Sequence, residues 1–434
     1  MDSTFKLYST KNHDLNVSLK EAIFHGLAQD GGLFLPKAIP KLSADFFREI
    51  KGKSFIEVSF EVARHLLVNE IPERKLLSII ENSFPFTTPI VEVEKNIFSQ
   101  ELFHGPTLSF KDFGARFMAR LFQYYLNDQK RELNILVATS GDTGSAVADG
   151  FSTIPGIKVW ILYPSKKISR IQEQQMTTLA DNINAVEVSG TFDDCQKLVK
   201  QAFADKELRA QLNITSANSI NIARLIPQTF YYFYLFSQLE DDSNIVVSVP
   251  SGNFGNLTAG IVAKKMGLPL RNFVAATNIN DVFPEYLDSG SFSPRPSKQT
   301  ISNAMDVGNP SNFERLQDLF HDDIKSMREN IYGARFTDDQ TRQAIKFVYE
   351  NTGYIMDPHG AVAYLGLKQY KDCVNKDIVG VFLETAHPAK FAETVEAAIQ
   401  QQVTIPQQLM NSMNKEKKST LIGGSYSEFK ALLM

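Results

Sequence analysis

The sequence predicts an α/β protein whose sheets are mainly parallel and are covered by helices on both faces. From about residue 133 onward, short apolar runs such as KVWILYP (158–164) alternate with longer segments of helical spacing. Three of these runs, NILVA, NIVVSVP and DIVGVFLE, each pass into a polar loop and then into a helix. Continuous apolar strands of this kind are typical of parallel sheets with no face in water.

The expected strands lie on both sides of residue 240 and follow a different N-terminal region. They cover residues 134–138, 158–164, 185–190, 244–250, 272–277 and 377–384. The N-terminal region is expected to be mostly helical, because SLKEAIFHGLA has helical spacing and begins with the capping-box pair Ser18 and Glu21. The predicted domains are a helical one (1–90), a smaller α/β domain (91–240) and a larger α/β domain with C-terminal helices (241–434).

Composition narrows the class of protein. Of the 434 residues, 43% are hydrophobic and 22% charged, as in ordinary globular proteins. The net charge of −4 gives no general attraction to nucleic acid or an anionic membrane, so neither is a predicted partner. Neither Cys195 nor Cys373 has metal-type spacing and no two histidines are four apart, so no metal site is predicted. With no signal pattern and no apolar run of ~18–20 residues, a cytoplasmic location is predicted.

One polar loop, PSGNFGN, follows an apolar strand and precedes a helix. Gly252 and Gly255 let the backbone approach a ligand, while Asn253 and Asn256 add side-chain donors. Converging N–H groups at a helix N-terminus suit a phosphate. The loop lacks the GK[ST] of a P-loop and the GxGxxG of a dinucleotide site, so a plain strand-to-helix turn stays an alternative.

A second polar loop, TSGDTGSA, has the same position after its strand. Thr139, Ser140 and Thr143 supply hydroxyl groups, and Gly141 opens the backbone where a helix begins. This arrangement suits an anion such as a carboxylate. Because serine, threonine and aspartate are also the preferred helix caps, a simple capping cluster stays an alternative.

Two further segments carry polar side chains that can bind a ligand. Thr385, after the third strand, can form a hydrogen bond with a ring nitrogen, whereas spacing alone predicts a core histidine at His387 and a solvated lysine at Lys390. Asn221 and Arg224 lie three apart, on one face of a helix. Arg224 can hold a phosphate through two parallel hydrogen bonds, or it is an ordinary surface arginine.

Lys111 follows Phe110 directly and precedes Asp112 and Phe113. Apolar neighbours remove water from the amine, lower its pKa and make it a nucleophile toward carbonyl groups. A surface lysine beside Asp112 is the alternative. Together with the three loops, however, Lys111 completes what pyridoxal 5′-phosphate (PLP) requires: an amine, a phosphate cup, a ring-nitrogen partner and a substrate-carboxylate site.

Several long motifs resemble, in the same order, those of the threonine synthase family of many bacteria and fungi. They are GLAQDGGLFLP, ELFHGPTLSFKDFGARFM, ATSGDTGSA, PSGNFGN, MDVGNPSNFER and TAHPAKF. The resemblance implies the PLP-dependent fold type II of the tryptophan synthase β-subunit, with two open sheets. It also implies that O-phospho-L-homoserine and water are converted to L-threonine and phosphate, the last step of threonine biosynthesis, by a monomer or homodimer.

The resemblance assigns roles residue by residue. It implies that Lys111 forms the covalent link to the cofactor, that Thr385 meets the pyridine nitrogen and that Asp142 lies near the cofactor ring. The implied cofactor-phosphate residues are Gly252, Asn253, Phe254, Gly255 and Asn256. The implied substrate residues are Thr139, Ser140, Gly141 and Thr143 for the carboxylate, and Ser216, Asn218, Asn221 and Arg224 for the phosphate. Cysteine synthases of the same fold type typically carry asparagine where this chain has Asp142.

The implied mechanism uses Lys111 as base and acid at Cα and Cβ of the substrate, while domain closure excludes water until phosphate has left. Two alternatives stay open. A phospho-lyase of the same family gives 2-oxobutyrate instead of threonine, and a non-catalytic relative only binds a phosphorylated ligand. No role is assigned to His104.

Overall fold

The computed structural model describes residues 5–126, 132–178, 180–240, 244–374 and 377–434. Its strands are β1 (Leu7–Ser9), β2 (Asn12–Val17), β3 (Phe34–Pro36), β4 (Ile90–Glu94), β5 (Ile97–Glu101), β6 (Leu133–Ala138), β7 (Ile157–Pro164), β8 (Ile183–Val188), β9 (Asn213–Ser216), β10 (Ile245–Pro250), β11 (Leu270–Thr277), β12 (Ile331–Arg335), β13 (Val379–Glu384) and β14 (Thr420–Ile422). All six expected strands are present, within a few residues of their predicted bounds.

The helices alternate with the strands, as the sequence predicts. They are α1 (Leu19–His25), α2 (Ala44–Glu49), α3 (Phe55–Leu66), α4 (Glu73–Ser83), α5 (Lys111–Leu126), α6 (Asp142–Phe151), α7 (Arg170–Thr177), α8 (Phe192–Ala204), α9 (Lys206–Gln211), α10 (Ile222–Leu225), α11 (Gln228–Gln238), α12 (Gly255–Lys265), α13 (Val282–Ser289), α14 (Phe313–Leu319), α15 (Ile324–Asn330), α16 (Asp338–Thr352), α17 (Pro358–Val374), α18 (Ala392–Ile399), α19 (Gln407–Met413) and α20 (Tyr426–Leu433), with short 3₁₀ turns η1 (Asn303–Met305) and η2 (Pro388–Phe391). Within the described ranges, no helix is long and apolar enough to cross a membrane.

The larger sheet has six strands in the order β12-β11-β10-β13-β5-β4. Its strands pair in parallel except for β4, which runs antiparallel to β5 at one edge. Every residue of β13 is buried, and so is every residue of β10 before Pro250. Parallel strands covered on both faces require such apolar sequences, and their carboxyl ends lead here into residues 251–256 and Thr385.

The smaller sheet has five strands in the order β14-β8-β7-β6-β9, and all of its pairs are parallel. Helices α6 and α8 pack against it, and α5 packs against α6. Its central strands β6 and β7 are apolar and mostly buried. The carboxyl ends of β6 and β9 lead into residues 139–142 and 217–221, the second group of predicted site residues.

The N-terminal region contains the four helices α1–α4 and a small antiparallel sheet of order β2-β1-β3. The predicted capping box of α1 is confirmed, since Ser18 Oγ accepts from the Glu21 N–H at 3.2 Å and Glu21 Oε2 from the Ser18 N–H at 2.8 Å. The three strands were not predicted. β1 and β3 have only three residues each, too few for a recognisable strand pattern, and β2 is mostly exposed and polar.

Sheet membership crosses the predicted domain limits. The strands β4 and β5 follow residue 90 but join the larger sheet, and β14 joins the smaller sheet although it follows residue 241. Each sheet is therefore built from distant parts of the chain. The division into three domains stays a prediction.

Arg315 connects α14 to the N-terminal sheet and to the loop that follows β9 of the smaller sheet. Its side chain is completely buried on α14. The guanidinium donates to the carbonyl oxygens of Phe34 at 3.1 Å, Ser219 at 3.2 Å and Ile220 at 2.6 Å. It also donates to Asn312 Oδ1 at 2.7 Å. One side chain therefore satisfies acceptors from β3, from the loop before α10 and from the start of its own helix.

Replacing Arg315 by Met should lower the free energy of unfolding by about 3 kcal/mol, because buried acceptors lose their donors. Urea-induced unfolding followed by circular dichroism measures this change. The matched control is Arg342→Met, which removes an exposed arginine paired with Asp339 and should change the free energy by less than about 0.5 kcal/mol. Equal effects of the two substitutions would contradict the role of Arg315.

Candidate active site

Lys111 is the first residue of α5, and its side chain lies at the junction of two cavities. Its ammonium is 4.6 Å from the centroid of the Phe110 ring and makes no ion pair within the described residues. Burial, with a smaller contribution from the nearby Arg224, lowers the pKa of Lys111 to about 8, and Asp142 opposes the change. The amine is therefore neutral at much lower pH than an ordinary lysine, as a nucleophile toward carbonyls requires.

The first cavity is lined by the predicted phosphate loop, residues 250–257. Phe254 has the left-handed φ of 59°, which turns the chain into α12. Among the described residues, the N–H groups of residues 252–254 donate no hydrogen bond. The N–H groups in the first turn of α12 have no partner within the helix, as at the start of any helix. The backbone thus offers a cluster of free donors at a helix N-terminus, the arrangement that suits a phosphate.

Asn256 adds an oriented side-chain donor to this loop. Its Oδ1 accepts from the hydroxyls of Tyr231 at 2.7 Å and Tyr232 at 2.6 Å. Its Nδ2 is buried and has no hydrogen-bond partner among the described residues. Because a buried amide donor without a partner costs free energy, this atom fits an acceptor supplied by a ligand.

Gly252 is the point where the loop meets η1. A Cβ at this position would lie 2.8 Å from Cα of Met305 and 3.0 Å from the Ala304 carbonyl oxygen. Both of these atoms belong to backbone, which cannot move as easily as a side chain. The loop therefore needs glycine at residue 252 so that η1 can close one side of the cavity.

The remaining wall of the first cavity comes from other elements. It contains Thr385, Arg224, Gln228, Ser219 and His359. His359 was missed by the sequence reasoning, because DPHG stands at the start of α17 and follows no polar strand-end loop. Its Nδ1 is 2.5 Å from Oδ1 of the buried Asp357, and its Nε2 accepts from the Ala304 N–H at 3.2 Å. These bonds connect α17 to η1.

The second cavity adjoins the first and has a volume of about 770 Å³. Lys111, Ser219, Asn253 and Ala304 line both cavities. The predicted substrate residues that line the second cavity are Thr139, Ser140, Thr143, Ser216 and Asn218. Asp142, predicted to lie near the cofactor ring, lines the same cavity. The structure therefore brings two loops of the smaller sheet to the lysine and to the phosphate loop of the larger sheet.

The loop predicted to bind a carboxylate (residues 139–146) has hydroxyl groups of two kinds, some bonded to its own backbone and some not. Thr139 Oγ1 accepts from the N–H groups of Gly141 and Gly144, both at 2.9 Å, so this hydroxyl shapes the loop. The hydroxyls of Ser140 and Thr143 carry no hydrogen bond within the described residues and line the cavity. Gly141 has a φ of 142°, which favours glycine.

The predicted substrate-phosphate residues lie in three different places. Asn218 lines the second cavity, but its side-chain amide is bonded to the backbone of Ala138. Its Oδ1 accepts from the Ala138 N–H at 3.3 Å, and its Nδ2 donates to the Ala138 carbonyl at 2.8 Å. Arg224 lines the first cavity instead, where it donates to the Ala217 carbonyl at 2.6 Å. Its buried Nε has no hydrogen-bond partner in the part of the chain that the structure describes. Asn221 lies in neither lining, and its Oδ1 caps α10 by accepting from the Ala223 N–H at 3.1 Å.

Lys390 is not a solvated lysine, so that prediction is wrong. Its side chain on η2 is fully buried, and its ammonium lies 2.7 Å from Asp142 Oδ1. It also donates to the Thr107 carbonyl at 2.9 Å. Spacing along one helix could not show this contact, because the partner is on a different sheet.

His104 and His387 lie outside both cavity linings. His104 contacts Glu101, with 2.7 Å between His104 Nε2 and Glu101 Oε2. His387 packs edge-on against Phe103, and its partial burial lowers its pKa to about 4. The structure thus gives both histidines protein partners.

Comparison with known proteins was made at the level of family, sequence and structure. Residues 84–416 match the family described as "Pyridoxal-phosphate dependent enzyme", and residues 6–84 match "Threonine synthase N terminus". The chain is 44% identical to the threonine synthase of Escherichia coli over 431 residues, which cover 99% of each chain. The chain belongs to the threonine synthase family.

Solved structures of threonine synthases have the same fold. The PLP-bound threonine synthase of Brucella melitensis gives a TM-score of 0.92 at 34% identity, with 99% of each chain covered. The yeast threonine synthase gives 0.91 at 34% identity, over 100% of this chain and 99% of that chain. The protein is therefore a PLP-dependent enzyme of fold type II, and the predicted fold and cofactor are confirmed.

The residues present fit this cofactor. The free donors of residues 252–256 and the unpartnered Asn256 Nδ2 suit its phosphate, and they lie in the same cavity as the amine of Lys111. Thr385 lines that cavity too. A phosphate cup, an amine of lowered pKa and a hydroxyl for the ring nitrogen are the groups that PLP binding needs.

Replacing Gly252 by Ala should raise the dissociation constant for pyridoxal phosphate at least about 10-fold, because the new Cβ would displace η1 or the loop. Fluorescence titration of cofactor-free protein measures the constant. Gly255→Ala is the matched control in the same loop, since a Cβ there would meet its nearest atom at an ordinary 3.5 Å. An unchanged constant in the Gly252→Ala protein would contradict the tight contact with Met305.

Proposed function

We propose that this enzyme converts O-phospho-L-homoserine and water to L-threonine and phosphate. The observation that carries the proposal is the position of Lys111, which lines both the cavity with the phosphate loop and the larger cavity with the hydroxyl-rich loop. A substrate bound in the larger cavity would place its reacting carbons near the same amine that holds the cofactor. Membership of the threonine synthase family supports this choice of substrate.

Lys111 is proposed to hold the cofactor covalently and, once displaced by the substrate amine, to move protons at Cα and Cβ. A lysine whose pKa is lowered to about 8 can both accept and return a proton near neutral pH. Pyridoxal phosphate, when bound, supplies the electron sink for charge that develops at Cα. Water then adds at Cβ after the γ-phosphate has left.

The two loops of the smaller sheet are proposed to orient the substrate. Ser140 and Thr143 offer unbonded hydroxyls, and the first-turn N–H groups of α6 lie beside them, so a carboxylate fits there. Ser216 and Asn218 line the same cavity and are candidates for the substrate phosphate, with Arg224 across the adjoining wall. Asn221 is a weaker candidate, because its side chain already bonds backbone groups.

Replacing Lys111 by Ala should lower phosphate release from O-phosphohomoserine at least about 10³-fold, since the base and the covalent link are lost together. Phosphate and threonine are measured separately in the unaltered enzyme, with O-phosphothreonine as a second substrate. Equal yields of phosphate and threonine support the proposal. Phosphate accompanied by 2-oxobutyrate would instead identify a phospho-lyase, and a Lys111→Ala protein with full turnover would contradict the role of Lys111.

Covalent uptake of the cofactor by cofactor-free protein should speed up as the pH rises through about 8, the pKa of Lys111. The folded-state pKa lies below the ordinary 10.5, so the neutral, reactive amine is present from about pH 8 upward. Borohydride reduction followed by peptide mass spectrometry measures the uptake and its position. Nα-acetyl-lysine amide, whose side-chain amine is free, is the control. A midpoint as high as that of this amine would show that the cavity does not activate Lys111.

A further inference from the structure

A buried ion pair joins the two sheets beside the active site. Asp142 begins α6 on the smaller sheet, and Lys390 lies on η2, which follows the larger sheet's strand β13. Their charged atoms are 2.7 Å apart, with side-chain exposures of 6% and 0%. Burial of two charges is costly unless they are paired and hydrogen-bonded, so each of these groups depends on the other.

The contacts of Asp142 use one carboxylate oxygen and leave the other available. Oδ1 meets the Lys390 ammonium and also accepts from Gln172 Nε2 at 2.9 Å. Oδ2 has no hydrogen bond within the described residues. Asp142 lines the same cavity as Lys111, whereas Lys390 and Gln172 line neither cavity. The carboxylate thus pairs with the buried cation and lines the same cavity as the reactive amine.

We propose that Lys390 is a positioning residue whose buried ammonium keeps Asp142 ionised, so that a negative charge acts on the nitrogen of Lys111. This inference rests on the proposed attachment of the cofactor at Lys111. It assigns a function to a lysine that touches neither cavity, and it explains how a carboxylate can be buried at this position.

The charges around both groups support this assignment. Asp142 meets the charge of Lys390 and, more weakly, that of His359 on α17, and Lys390 is the main cause that lowers its pKa against the effect of burial. Lys111 meets the charges of Arg224 on α10 and Asp142 on α6. Burial and Arg224 both favour the neutral amine, and Asp142 is the group that favours the protonated one.

The direction in which the pKa of Lys111 changes when Lys390 is removed distinguishes this proposal from a direct effect of the Lys390 charge. If Lys390 acted directly on Lys111, its removal would take away a positive charge and raise the pKa of Lys111. If it acts by keeping Asp142 ionised, its removal lets the buried carboxyl take up a proton. Lys111 then loses the negative charge of Asp142, which favours its protonated form, and its pKa falls.

The experiment measures the pH midpoint of covalent pyridoxal phosphate uptake at Lys111 in cofactor-free protein. In the Lys390→Met variant, this midpoint is expected to fall by about one pH unit. The conservative Lys390→Arg variant keeps a buried cation and is expected to retain the original midpoint. An unchanged or raised midpoint in Lys390→Met overturns the proposal, because a purely structural role does not move it downward.

A second variant covers the case in which Lys390→Met does not fold. The double variant Asp142→Asn with Lys390→Met leaves no unpaired charge, so it should fold, and its midpoint should fall by the same amount. A double variant with the original midpoint overturns the proposal. If the unaltered protein takes up the cofactor at a lysine other than Lys111, the proposed function fails instead, so the two failures are distinguishable.

Discussion

A parallel strand has to leave its sheet through a loop at the carboxyl end, and this constraint determines where the molecule can carry out chemistry. The loops after β10 and β13 leave the larger sheet, and those after β6 and β9 leave the smaller one. All four contribute to the two adjoining cavities. The helix α5 begins between them, so that Lys111 is delivered to the junction. The site is therefore a product of two sheets whose loop ends face each other, and neither sheet contains it alone.

Two buried lysines near this junction differ in their partners, and the difference explains their different chemistry. The Lys390 ammonium has a carboxylate oxygen at 2.7 Å and a carbonyl oxygen at 2.9 Å. At Lys111, by contrast, burial and a nearby guanidinium lower the pKa, and the ammonium makes no ion pair within the described residues. Burial without a close anion favours the neutral amine, whereas burial with one favours the cation. Sequence neighbours alone do not distinguish the two lysines, because each is directly beside a phenylalanine: Phe110 precedes Lys111, and Phe391 follows Lys390.

The parts of this fold that could be predicted from the sequence depend on local signals. The six apolar strands, the capping box at Ser18 and the loop of residues 250–256 each have a signal within about ten residues, and so does Lys111 among its phenylalanines. The parts that could not be predicted depend on contacts between distant elements. Lys390 is buried because Asp142 of the other sheet meets it, and His359 reaches the cavity through its bond to η1. Short edge strands such as β14 were missed because an exposed leucine and threonine carry no apolar pattern.

The exchange of edge strands between distant parts of the chain has a consequence for synthesis on the ribosome. The edge of the smaller sheet at β8 stays open until residues 420–422 have been made, and β5 cannot pair with β13 until residues 379–384 have emerged. Both sheets thus remain incomplete while most of the chain is already outside the ribosome. Contacts between residues so far apart in sequence form slowly, and an unpaired parallel edge is a site for association with other chains. The nascent protein must therefore keep two unpaired sheet edges apart from other chains for most of its synthesis.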